Sequence, residues 1–229
     1  MAFGPIMRLK AGELTIELAP LTKEVMGEFI NLQHGGGMQR LEVRRYTSSI
    51  TAPVLEDEYD WFEKTRQSKD SIVWGIWVIE DDKRILIGNT SLFSFSEGHA
   101  KLILQSTSAS MIFRKEYWGR GIASSIHKAR TWFAFQHLGL HRVKSAVIQG
   151  NVGSLKALSR SGYSLVYVER NEQFVSGQLR HLDCLECLNP NEPFWGQWWH
   201  GDRPPRRALE ARRCTQVALA WAEENVELL

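Results

Sequence analysis

The stretch from Ser110 to Ser125, SMIFRKEYWGRGIASS, carries residue types and a spacing that could hold a phosphate. An apolar, β-prone run, Ser110-Met111-Ile112-Phe113, stops at the charged residues Arg114, Lys115 and Glu116. A glycine-rich turn follows, Gly119-Arg120-Gly121, and a long amphipathic pattern starts at Ile122. The order reads as strand, turn, helix. The first N–H groups of a helix lack backbone partners and lie at the positive end of its dipole. Glycines let that backbone close on a ligand with no side chain in the way. The predicted chemistry is capture of a pyrophosphate by backbone N–H groups across Gly119, Arg120, Gly121, Ile122, Ala123 and Ser124, with Arg114, Lys115 and Arg120 neutralising it.

Spacing alone leaves a second reading open, a plain strand-to-helix turn. The turn lacks the Lys-Ser/Thr ending of a nucleotide-triphosphate loop. Ser124 stands where a dinucleotide fingerprint needs its third glycine, and no strand ending in an acid follows at the required distance. A second block lies downstream: Asn151-Val152-Gly153-Ser154, then Leu158, then Gly162-Tyr163.

Together the two blocks resemble the GNAT acyl-CoA transferase superfamily, whose signature is Arg/Gln-x-x-Gly-x-Gly/Ala. Here it reads Trp118-Gly119-Arg120-Gly121-Ile122-Ala123, with Trp118 in the Arg/Gln place. The spelling Glu116-Tyr117-Trp118-Gly119-Arg120-Gly121, and the Asn-x-x-Ser…Leu…Gly-Tyr helix, are similar to the Rim-type subgroup, which acetylates N-terminal amines of ribosomal proteins. The resemblance covers roughly Leu14 to Leu188. It implies an acetyl-CoA-dependent N-acetyltransferase acting on a primary amine of a peptide, metabolite or antibiotic by direct attack on the thioester. It also implies a mixed, mostly antiparallel sheet that splays at the CoA site between flanking helices. Met111, Ile112 and Phe113 would pair with the pantetheine arm, and a backbone N–H there would polarise the carbonyl. Asn151 would bond the pantetheine, although an N-cap role explains an asparagine there equally well. The tyrosine that many relatives carry is Leu158 here; the Rim-type resemblance implies instead that Ser154 protonates the departing thiolate, directly or through water, although a first-turn serine with only a capping role explains it equally well.

The general base has no such signal. Ser108 stands eight residues before Glu116, where the subgroup often has glutamate, and Ser124-Ser125 replaces an acid that often follows the turn. Glu58, Glu97 and His99 are the polar candidates. The gap motivates an alternative from another class: an acyl-CoA-binding member that is catalytically silent and works as a sensor or scaffold.

The 229 residues suffice for one domain plus an appendage, and 43% hydrophobic content supports a packed core. A net charge of +2 does not point to nucleic acid. Cys184, Cys187 and Cys214 form no disulfide framework, and a strand puts Cys184 and Cys187 on opposite faces, so no metal site is expected. No run of 18 apolar residues exists and the N-terminal MAFGPIMRLK lacks a signal-peptide core, so a reducing cytoplasm is expected.

The elements needed to position these residues follow from periodicity. Strands are predicted at Leu14–Leu18, Ile72–Glu80, Ile85–Phe95, Leu102–Phe113, Arg142–Gln149, Ser164–Arg170 and Gln178–Leu188. Helices are predicted from Thr22 to Gln33 and at Leu55–Gln67, Ile122–Leu138 and Val152–Arg160. The His34–Met38 loop, with three glycines, reads as mobile, and the resemblance sets it beside the acceptor groove. Residues 1–189 form the catalytic domain in this reading and 190–229 an extension rich in Trp and Arg. That extension turns helical near Arg206 and shows Cys214, Val217, Ala218 and Trp221 on one face. Its tryptophans suit either a flap on the chain's own core or a homodimer surface.

Overall fold

Met7-Arg8-Leu9-Lys10-Ala11 alternates buried and exposed side chains and forms β1 (Met7–Ala11). This strand is absent from the sequence reading, which starts the sheet at β2 (Leu14–Ala19). The coordinates are a computed structural model that describes residues 2–30, 37–47, 51–81, 83–95 and 104–229. The further strands are β3 (Ser71–Glu80), β4 (Lys83–Phe93), β5 (Gln105–Ile112), β6 (Arg142–Ile148), β7 (Ser164–Val175), β8 (Gln178–Leu188) and β9 (Val226–Leu228). Among the described residues they form one sheet in the order β7-β8-β6-β5-β4-β3-β2-β1-β9. Every neighbouring pair is antiparallel except β5 with β6. The expected mixed, mostly antiparallel α/β architecture is what the chain adopts.

Two apolar layers sandwich the sheet. On one face Trp74, Ile76 and Val78 meet Ile122, Ile126 and Ala129 of α4 (Ile122–Trp132), which continues into a wider π-type turn at Phe133–His137. On the other face Val73, Trp77 and Leu86 meet Phe29 of α1 (Gly27–Ile30), Val43 of α2 (Leu41–Arg44) and Phe62 of α3 (Leu55–Gln67). Met111 and Phe113 pack with this second layer. The helix expected from Thr22 begins instead as a 3-10 turn, Lys23–Met26, before α1; the Thr22 side chain makes no capping bond, and the expected end at Gln33 lies outside the described residues. Residues 34–36 of the glycine loop, Glu97 and His99 lie outside the described residues.

The extension joins the core. After α6 (Glu192–Trp195), Trp195 is buried against Leu188 and Ala208. The long helix α7 (Arg206–Asn225) then lies on α4, and β9 pairs with β1 at the sheet edge. The buried face of α7 is Ala208, Thr215, Ala218, Leu219 and Ala222. The expected face is corrected, because Val217 is exposed at 68% and Cys214 is exposed too. Small residues win the buried face because they let α7 approach α4 closely.

Candidate functional site

Among the described residues β5 and β6 run together for three pairs, Gln105↔Arg142, Ser106↔Val143 and Thr107↔Lys144. Beyond Thr107 they part. β5 stays with β4 as far as Gly88↔Ile112, while β6 stays with β8 as far as Ile148↔Leu182. At the apex the Ser145 hydroxyl donates to the Ser108 carbonyl at 3.3 Å. Past the apex Ala109 and Ser110 are exposed, so a strand in mid-sheet shows an open edge. β4 approaches β5 so closely there that a Cβ on Gly88 would lie 2.0 Å from the Met111 carbonyl oxygen.

The open edge leads into the glycine turn. Gly119 and Gly121 have φ of 75° and 80°, the left-handed region that favours glycine. A Cβ on either would meet no protein atom within 4 Å, so the space above the turn is free. Gly121 caps α4 with no side-chain hydrogen bond, and the first turn of α4 holds no acid. An uncapped, acid-free helix start over open space has the donor set and the room that a pyrophosphate needs. Trp118 links the two parts: its indole N–H donates to the Ile112 carbonyl at 2.8 Å. The exposed Arg120 stacks on Tyr117 at 5.2 Å and lies 3.9 Å from Glu80.

Arg114 departs from expectation. It is buried, its Nε donates to the Leu86 carbonyl at 2.8 Å and its Nη2 to Glu28 at 2.7 Å. These bonds tie it to β4 and α1, so its predicted role in neutralising phosphate is withdrawn. Lys115 and Arg120 remain the exposed cations next to the turn.

Asn151 and Ser154 stand across the opening, where β6 ends. Asn151 caps α5 (Val152–Ser159), its Oδ1 accepting the Ser154 N–H at 3.2 Å. That bond leaves the Asn151 amide N–H₂ available, and the Ser154 hydroxyl has no protein partner among the described residues. Leu158 is buried in the core, where no acid could serve the cleft.

Beneath the open edge lies a polar cluster that sequence reading missed. Arg130 on α4 is fully buried, and its Nη1 donates to Thr90 Oγ1 (2.6 Å), Ser110 Oγ (2.7 Å) and the Ala109 carbonyl (2.8 Å). Its Nη2 donates to His127 Nδ1 at 2.8 Å, so His127 carries its proton on Nε2. Burial first, and then Arg130, hold the His127 imidazole well below the usual histidine range. Arg130 stands four residues after Ile126 on the core-facing side of α4, but its charge argues for the surface, so no usable signal lies in the sequence.

On the opposite sheet face Glu58 is buried on α3, one turn before Phe62, which packs with Met111 and Phe113. Burial, with Asp57 beside it, raises the Glu58 carboxyl to about 7. Tyr46, just past α2, donates its hydroxyl to the Gly150 carbonyl at 3.0 Å and so bridges to the residue before Asn151. Beside this bridge is a cleft of about 240 Å³ between Arg45, Tyr46, Gln149 and the hairpin residues Ser176, Gln178 and Arg180. Among the described residues no group of His, Cys, Asp and Glu side chains could hold a metal ion, and no helix is long and apolar enough to cross a membrane.

The chain is 27% identical over 131 residues to a Bacillus subtilis (strain 168) protein described as a probable N-acetyltransferase, YjcK, a match spanning 57% of this chain and 69% of that one. Its fold is similar to that of the Vibrio cholerae spermidine N-acetyltransferase solved with CoA and spermine, at a TM-score of 0.64 and 17% identity, over 76% of this chain and 95% of that one. It is likewise similar to that of Mycobacterium smegmatis RimJ solved with CoA-disulfide, at a TM-score of 0.65 and 15% identity, over 99% and 96% of the two chains. Residues 16–164, well over half of the chain, match the family model of the acetyltransferase (GNAT) domain. A parted strand pair beside a glycine-capped helix thus has its family assignment from the sequence as well: the chain belongs to the GNAT acetyltransferases, which move an acetyl group from acetyl-CoA.

Proposed function

We propose that this chain acetylates a primary amine by direct attack on the thioester of acetyl-CoA, within the opening between β5 and β6. The observation that carries the reading is the parting of these strands after Thr107, next to an uncapped helix start at Gly121. Bound acetyl-CoA supplies an activated acyl group. In this reading the N–H groups from Gly119 to Ser124 hold its pyrophosphate, with Lys115 and Arg120 supplying positive charge. Met111, Ile112 and Phe113 border the pantetheine arm, a backbone N–H of that edge polarises the carbonyl, and the Asn151 amide donates from the facing strand end. The unpaired Cys184, Cys187 and Cys214 thiols fit a reducing cytoplasm.

Glu58 is the base in this reading. A carboxyl raised to about 7 is half ionised at neutral pH, where a general base works best. It takes the proton that the attacking amine must lose. The Ser154 hydroxyl then gives a proton to the departing sulfur, and water restores it.

The test is thiol release from acetyl-CoA across peptides, polyamines, amino acids and aminoglycosides, with Glu58→Gln measured alongside. Turnover that falls by ~10²-fold or more in Glu58→Gln, with CoA affinity retained, is the expected result. Tight CoA binding without turnover on any amine would instead favour the silent acyl-CoA binder. Retained turnover in Glu58→Gln removes Glu58 from the mechanism.

A further inference from the structure

We propose that the cleft beside Tyr46 selects an acceptor amine carrying an anionic group, recognised by Arg45 and Arg180. The inference rests on the acetyl-transfer reading for the location of the reacting amine. The cleft lies beside the segment that leads from β6 to Asn151. Gln149 forms its wall at the end of β6, and the Tyr46–Gly150 bond ties its other wall to the residue before Asn151. At about 240 Å³ it has room for one small polar group or a side chain.

Its lining is positive. Arg45 and Arg180 stand among the neutral groups of Tyr46, Gln149, Ser176 and Gln178, with Val175 as the apolar contribution and no carboxylate among the described lining residues. Gln178 and Arg180 are two apart on β8, so both side chains leave the same face of the hairpin. Arg8, Arg66, Arg84, Arg114, Arg120, Arg142 and Arg206 each lie within 4.0 Å of a carboxylate. Among the described residues Arg45 and Arg180 have no such partner. Two guanidinium forks without internal acids match a carboxylate or phosphate and repel a polycation. Selectivity here is therefore opposite in sign to what spermidine requires, although a spermidine N-acetyltransferase shares the fold.

The experiment uses the full chain with CoA bound. Calorimetry compares the N-acetylated peptides Ser-Asp-Asp-Phe and Ser-Asn-Asn-Phe, and N-acetylated phosphoethanolamine and ethanolamine, with spermidine as the cationic probe. Thiol release is measured in parallel with the free amines. The anionic member of at least one pair should bind roughly tenfold more tightly or better, and Arg180→Gln and Arg45→Gln should each remove most of that difference while CoA affinity holds. Discrimination within the peptide pair alone identifies a polypeptide acceptor, and within the phosphoethanolamine pair alone a small one; both support the assignment. Arg180→Glu should reverse the preference toward spermidine. Preferential anion binding without turnover upholds the cleft and sinks the acetyl-transfer reading. Equal binding within both pairs, or a wild-type preference for spermidine, overturns the cleft assignment while leaving acetyl transfer intact.

Discussion

The guanidinium of Arg130 donates to the Ser110 hydroxyl at 2.7 Å from a fully buried side chain, directly beneath the open edge of β5. Its other acceptors are neutral: Thr90, the Ala109 carbonyl and His127. Nε has no partner, and no carboxylate lies within ion-pair distance among the described residues. A buried cation without a counter-ion is costly, so the surrounding dipoles must hold it. Ser110 is exposed on its other side, so the charge bears on the cleft through one hydroxyl.

Arg130→Met separates structure from catalysis. Removing the charge relieves its desolvation, and Thr90 and Ser110 still bond each other at 2.6 Å. Stability should change by no more than about 2 kcal/mol. Turnover should fall at least tenfold, because positive potential beside the reacting carbonyl is lost. Urea unfolding and steady-state rates on one preparation check both. A variant of unchanged rate makes Arg130 purely structural.

Gly121→Val should weaken CoA binding more than it weakens the fold. The added side chain meets no protein atom, so its cost inside the chain is the strain of φ near 80°, on the order of 1–3 kcal/mol. It would project into the space assigned to phosphate. Calorimetry with CoA on a variant verified as folded by circular dichroism checks this. Unchanged affinity removes the pyrophosphate from this turn.

Asn151 and Ser154 should respond differently to alanine. Asn151 caps α5, so Asn151→Ala should cost about 1 kcal/mol of stability. The Ser154 hydroxyl bonds no described residue, so Ser154→Ala should leave the melting temperature nearly unchanged. If that hydroxyl serves the thiolate, turnover falls ~10²-fold or more with little change in CoA affinity. A loss under about threefold assigns the proton to water.

Much of the sheet was legible because apolar alternation is local: α3 and β8 match their expected limits, and β3, β4 and β6 differ by one or two residues. β1 alternates just as clearly, with Met7, Leu9 and Ala11 buried and Arg8 and Lys10 exposed, so its pattern too is local. The α7 face was not legible, since alanines and a threonine carry little hydrophobic signal. The glycine turn could be read from residue order. Arg130 could not, because charge argues for the surface and only its neighbours, Ala129 and Thr131, both buried, show that α4 is enclosed there. Arg45 and Arg180 are 135 positions apart, and their segments meet at one cleft, bridged by the Tyr46–Gly150 bond.

Acid should destabilise the fold through His127. Its folded pKa lies well below 6.5, so below about pH 6.5 the unfolded chain binds a proton that the folded chain refuses. The stabilisation is complete above pH 6.5 and shrinks as pH falls, at up to about 1.4 kcal/mol per pH unit. Urea midpoints at pH 7.5, 6.0 and 5.0 should show the decline, and His127→Gln, which keeps an acceptor for Arg130, should lack this part of it. Equal slopes for both proteins assign the acid sensitivity to other groups.

Truncation at Asn189 should unfold the protein rather than release a separate domain. Ala218 and Ala222 are fully buried, Ala222 and the nearly buried Leu219 belong to the main core, and the Trp132 indole N–H donates to Glu223 at 2.6 Å. Removing α7 would strip the outer face of α4, leave Trp132 without its acceptor, and uncover Cys187, whose thiol lies 3.4 Å from Thr215 Oγ1. Burial of a large apolar side chain contributes about 1.5–3 kcal/mol, so losing Trp195, Leu219 and the α4 contacts together approaches the roughly 5–15 kcal/mol that a whole fold retains. Deleting only residues 226–229 removes β9, which pairs through Val226, Glu227 and Leu228 with β1. That shorter deletion should lower the melting temperature yet leave a folded protein. Circular dichroism melts of both truncations decide the matter. A chain of residues 1–189 that melts cooperatively near the full-length temperature would show that the extension is a dispensable appendage.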